Sequence, residues 1–84
     1  MNTRVFTWVD AKTLPPQDFD YPDETKDVSV RVVVDWKWAK YNSIFPEPYR
    51  FARYQWPSRP GEVGYWMIEG ISGSTIINKW IYLV

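Results

Sequence analysis

The stretch VSVRVVVDWKWA, Val28 to Ala39, decides the fold. Val28, Val30, Val32, Val34, Trp36 and Trp38 fall on one parity; Ser29, Arg31, Val33, Asp35 and Lys37 fall on the other. A period of two held this long in β-branched and aromatic residues predicts a strand whose valine and tryptophan face is buried. The chain that follows reads as more strands. Pro46 and Pro48 interrupt pairing in YNSIFPEP before a second strand, YRFARYQW, Tyr49 to Trp56. PSRPGEVG, with two prolines and two glycines, predicts a turn into a third strand, YWMIEG, and ISGS reverses the chain into TIINKWIYLV. Three short connections in succession predict antiparallel pairing, because a parallel crossover needs about a dozen residues or more.

Toward the N-terminus the pattern is weaker. RVFTWV reads as a short strand, DAKTLPP as a turn under an Asp10 cap, and PPQDFDYPDE as a loop too polar and too broken to be buried. Neither a helix nor an internal repeat is predicted. The expectation is one domain over residues 1–84, all-β or β-dominated α+β. Its architecture is a small antiparallel meander of four to five strands with Val28–Trp38 central, open to curling into a barrel. The last strand sharpens that choice. Ile76, Trp80 and Tyr82 lie on one parity and Ile77, Ile81 and Leu83 on the other. A sheet without helices cannot cover both faces, so it closes on itself, or a second copy or a partner covers the exposed side.

A domain of 84 residues has a small core and, at the usual per-residue range, a stability of about 4 to 12 kcal/mol. Six Trp, six Tyr and four Phe supply the apolar area. The absence of cysteine excludes disulfides, thiolate metal sites and cysteine nucleophiles, and points to a reducing cytosol. With no histidine either, the common general bases, triads and imidazole ligands are excluded. No apolar run is long enough to span a membrane, and MNTRVFTWVD lacks the apolar core of a signal peptide. The expectation is a cytoplasmic, non-enzymatic protein without cofactor or membrane partner.

Net charge is zero but unevenly distributed. Residues 1–30 balance Asp10, Asp18, Asp20, Asp23, Glu24 and Asp27 against Arg4, Lys12 and Lys26, leaving −3. Residues 31–60 balance Arg31, Lys37, Lys40, Arg50, Arg53 and Arg59 against Asp35 and Glu47, leaving +4. Either the two segments mark an interaction surface or they fold together and neutralise each other. The acidic cluster does not make a calcium loop. Asp18-x-Asp20 starts like an EF-hand, but Pro22 takes the next ligand position and the central glycine is missing. Gly61-Glu62-Val63-Gly64 has the spacing of a phosphate-clamping loop, yet a turn accounts for it.

The residues that carry functional chemistry are the rings and cations of the second strand. Tyr, Trp and Arg are the types enriched in protein-interface hot spots, and rings with cations also suit single-stranded nucleic acid. Tyr49, Arg50, Arg53, Tyr54 and Trp56 are the candidate partner-binding residues, with Asp18, Asp20, Asp23 and Glu24 as an acidic lure for a basic partner.

Trp8 with Leu14 and Pro15, the valine strand Val30 to Val34, GYWMIEG, and the closing Ile77, Trp80 and Leu83 resemble a family of small phage and prophage proteins of unknown function. Lys79 stands where that family often has histidine, and its proline-rich tail is missing. The resemblance implies a phage or mobile-element origin and a small β-rich domain, and brings no activity or site residues. The interface-type rings and arginines carry the expectation of an accessory protein that binds another protein stoichiometrically, and that origin and the small size add a bacterial host factor, such as a defence complex to be inhibited, as its target. Homodimerisation and single-stranded nucleic-acid binding are the other readings.

Overall fold

The computed structural model describes residues 4–17, 19–35, 37, 48–71 and 76–83. Five antiparallel strands form one open sheet: β1 (Val9–Asp10), β2 (Asp27–Val34), β3 (Tyr49–Gln55), β4 (Tyr65–Ile68) and β5 (Ile77–Tyr82). A single turn of 3-10 helix, Pro22–Glu24, precedes β2. Among the described residues no helix is long and apolar enough to cross a membrane. The β-dominated antiparallel architecture is the expected one, and the sheet does not close into a barrel.

The spatial order β1-β5-β2-β3-β4 departs from a simple meander in one place. β2, β3 and β4 are sequential neighbours, but β5 returns across the end of the sheet to pair with β2, which makes a Greek key. The physical reason lies in β2. Its alternate valines are fully buried, and a strand this apolar gains most from neighbours on both sides. At four residues, β4 is too short to pair all six of β5.

Val28, Val30, Val32 and Val34 form the centre of the core face, joined by Ala52, Tyr54, Trp56 and Trp80. In β5 the register slips: Val33 faces Lys79, but Val34 faces Ile77, leaving Asn78 as an extra residue. This bulge moves Ile77 onto the core face beside Trp80, three residues away and otherwise of opposite parity. Ile77, Trp80 and Tyr82 thus serve the core, while Ile81 stays on the opposite face.

The second layer over the core face is the N-terminal third. After β1 pairs with β5, Asp10 caps a turn by accepting from the Lys12 N–H at 2.8 Å. The chain then crosses the sheet as a strap. Trp80 Nε1 donates to the Thr13 carbonyl at 2.8 Å and Trp56 Nε1 to the Pro15 carbonyl at 2.7 Å. Each bond satisfies a buried indole N–H and fixes the strap. PPQDFDYPDE, polar as expected, runs in this cover and not in the sheet. At its end Arg4 is buried, its guanidinium stacked 3.7 Å from the Tyr21 ring and 4.4 Å from Tyr82 and ion-paired with Glu24.

The β3–β4 connection depends on two glycines. Gly61, at φ +84°, follows Pro60 in a turn closed by Glu62 N–H to the Arg59 carbonyl, where a positive φ favours glycine. At Gly64 space decides. A Cβ there would lie 2.4 Å from both the Gln55 carbonyl oxygen and the Tyr54 hydroxyl. Gly64→Ala will therefore push β4 off β3 and cost about 1 to 3 kcal/mol, measurable by urea denaturation.

Burial raises the Tyr54 hydroxyl above the ordinary tyrosine value of 10.0, because the ionised form loses its hydration. The folded state thus holds the proton more tightly than the unfolded chain does. The resulting stability is intact below pH 10.0 and is lost as pH rises from there through the folded value. Tyr54→Phe will show a shallower alkaline loss of stability than the parent chain between about pH 9 and 11 in parallel urea titrations.

Candidate functional site

Opposite the core lies a face over which, among the described residues, no strap passes. Strand registers arrange its side chains in rows. Lys79, Val33 and Tyr49 form the first, Ile81, Arg31 and Phe51 the second, Ser29, Arg53 and Met67 the third, and Asp27, Gln55 and Tyr65 the fourth. Phe51 is 55 % exposed, Tyr65 52 % and Tyr49 49 %. Leu83 and Trp8 extend this apolar surface, and both are exposed. A shallow depression of about 410 Å³ runs between Ser29, Phe51, Arg53, Met67, Glu69 and Leu83.

The polar groups of this face are organised around the rings. The Arg31 guanidinium sits 5.7 Å from the ring centres of both Tyr49 and Phe51, and Lys79 Nζ lies 5.1 Å from Trp8. Trp8 in turn approaches Tyr49 at 6.3 Å. Arg53 pairs with Asp27 at 2.7 Å, and the Tyr65 hydroxyl donates to Gln55 Oε1 at 2.5 Å. Arg31, Arg53 and Lys79 stand against Asp10, Asp27 and Glu69, so the charges of the face cancel.

Of the strand residues named from the sequence as partner-binding candidates, only Tyr49 and Arg53 reach this face. Arg50, Tyr54 and Trp56 are 3 %, 3 % and 7 % exposed and belong to the core. Arg50 faces Val32 across the strands, and its Nη1 donates to the Tyr49 carbonyl at 2.7 Å, which permits a buried guanidinium. Tyr54 packs on Trp66 at 4.8 Å and on Trp56 at 6.4 Å. Phe51, a candidate stacking ring for nucleic acid in the sequence, also reaches the open face, whereas sequence reasoning gave no binding role to Tyr65, Met67, Arg31 or Lys79. Small Ala52 between Arg50 and Tyr54 was the available signal, since a methyl side chain between two large ones marks a packed face.

The acidic residues lie in the strap layer, away from this face. Asp20 and Asp23 are exposed there, Glu24 is engaged by Arg4, and Asp18 lies outside the described residues. Among the described residues no group of acids could hold a metal ion. A deeper cleft of about 610 Å³ opens between strap and sheet, lined by Arg4, Val9, Phe19, Trp80 and Tyr82 among others. Its guanidinium is engaged by Glu24, and Trp80 uses its indole N–H on the strap. The cleft is the seam between the two layers.

No family model, curated protein or solved structure matches this chain.

Proposed function

We propose that this chain is a small non-enzymatic accessory protein that acts by binding another protein stoichiometrically, with the open face of the sheet as its contact surface. One observation carries the reading: large rings are held half-exposed on the sheet, in rows fixed by strand register, with no strap across them among the described residues. Rigid aromatic anchors set among Arg side chains are the composition of interface hot spots. The family resemblance adds a bacterial host factor, such as a defence complex, as the partner to test first.

Single-stranded nucleic acid is the second reading, favoured by the cations beside Trp8, Tyr49 and Phe51. Charge argues against it. Such binders take their affinity from uncompensated cations along the phosphate chain, and here each cation has an acidic counterpart on the same face.

The discriminating experiment compares the parent chain with Phe51→Asp. The parent will retain one host protein in equimolar amount, Phe51→Asp will lose it, and neither will retard a labelled single-stranded oligonucleotide. Salt-dependent retardation that Phe51→Asp abolishes would establish the nucleic-acid reading instead.

A further inference from the structure

We infer that in the free protein the open face is occupied by a second copy of the same chain, giving a two-fold symmetric sandwich that a target must displace. The inference rests on the protein-binding reading of this face and names its first partner. Three observations point to a second copy.

The first is layering. Domains bury each apolar sheet face against another layer, and the core face has its strap while the opposite face has none among the described residues. The second is charge. A face shaped only for an oppositely charged partner carries one sign in excess, whereas Arg31, Arg53 and Lys79 are matched here by Asp10, Asp27 and Glu69. A neutral mixed face complements its own rotated image. The third is size. The strands, of two, eight, seven, four and six residues, offer roughly 440 Å² in projection at about 3.4 Å per residue and about 4.8 Å between strands, near the small end of specific interfaces, which fits a reversible dimer.

The registers also select the symmetry axis. A two-fold axis running along β2 would stack Arg31 on its own copy, which like-charge repulsion opposes. An axis in the interface plane, crossing the strands between the Arg31 and Ser29 rows, exchanges those two rows. Phe51 then meets the second copy's Arg53, and Arg31 meets the second copy's Ser29. Asp27 engages Arg53 through the guanidinium edge and leaves its planar faces for a ring. The strands of the two sheets run nearly aligned, the arrangement that sandwiches favour.

Sedimentation equilibrium of the full chain from about 1 μM to about 1 mM will show a reversible shift from 10.1 kDa to twice that mass. Phe51→Asp will weaken the dimer by at least about thirtyfold, as loss of a central hot spot does. Met67→Lys, at the edge of the same face, will weaken it less. Retention of the near-ultraviolet dichroism of the edge-on Trp80–Tyr82 pair will show that both variants are folded. A parent chain monomeric throughout, or a dimer that survives both substitutions, would overturn the inference. A monomer that still loses its target on Phe51→Asp leaves the protein-binding reading standing, and a dimer that captures no target does the reverse.

Discussion

Trp80→Ala will destabilise the chain by about 4 to 6 kcal/mol in urea denaturation at 25 °C. Trp80 is 1 % exposed and holds four elements at once. Its backbone pairs with Val9 of β1 and Val32 of β2, its ring meets Tyr82 edge-on at 4.9 Å, and its indole N–H fixes the strap at Thr13. Truncating a buried tryptophan costs about 3 to 5 kcal/mol. The orphaned Thr13 carbonyl adds about 1 kcal/mol or more. Against a total of about 4 to 12 kcal/mol for a chain of this length, that is from about half to all of the margin. Trp80→Phe separates the contributions. It keeps a ring in the core and loses the indole bond, so it will retain a cooperative transition displaced by about 1 to 2 kcal/mol. A cooperative transition at parental midpoint in Trp80→Ala would mean that the strap does not depend on this residue.

The central strand was legible because β2 states its structure twice, through residue type and strict alternation. Antiparallel pairing was legible too, because three connections are too short for crossovers. Strand order was not. Turn residues in ISGS report that the chain reverses, but not that β5 passes β4 and β3 to reach β2. That choice is made by tertiary burial, which favours pairing the valine strand on both edges. Nor can alternation reveal the Asn78 bulge, since the extra residue puts Ile77 on the sequence parity opposite to its core partner Trp80 and so breaks the period of two.

The candidate face shows the same limit at higher cost. Both parities of β3 carry an arginine and at least one ring, so composition could not assign Tyr49, Phe51 and Arg53 to one side and Arg50, Tyr54 and Trp56 to the other. Cross-strand register does so at once: Val28, Val30 and Val32 face Tyr54, Ala52 and Arg50. Trp36 and Trp38, which share the valine parity in the sequence, lie outside the described residues. Of the ion pairs described, Asp27–Arg53 across β2 and β3 joins the acidic and basic segments, while Glu24 neutralises Arg4 within the first of them.

Glu24→Ala will destabilise the chain by about 2 to 4 kcal/mol, more than an exposed ion pair could account for. Arg4 is the reason. Its side chain is 4 % exposed, between the rings of Tyr21 and Tyr82, while that of Glu24 retains 22 %. Burial by itself lowers the guanidinium pKa, yet the hydrogen bond and charge of Glu24 hold it above its ordinary value, so the side chain stays charged in the fold. Removing the carboxylate takes the Glu24 hydrogen bond and ion pair from that buried charge, which then meets more of its desolvation cost in the fold. Arg4→Met in the Glu24→Ala background removes the buried charge while keeping an apolar chain against the two tyrosines. The double variant will therefore recover at least half of the loss, and the cycle will give a coupling energy of about 1 to 3 kcal/mol by urea denaturation. Additive effects would show that the pair contributes only packing. Because Arg4 and Glu24 lie on the strap side of the sheet, none of these variants will alter what Phe51 and Arg53 bind while the sheet remains folded.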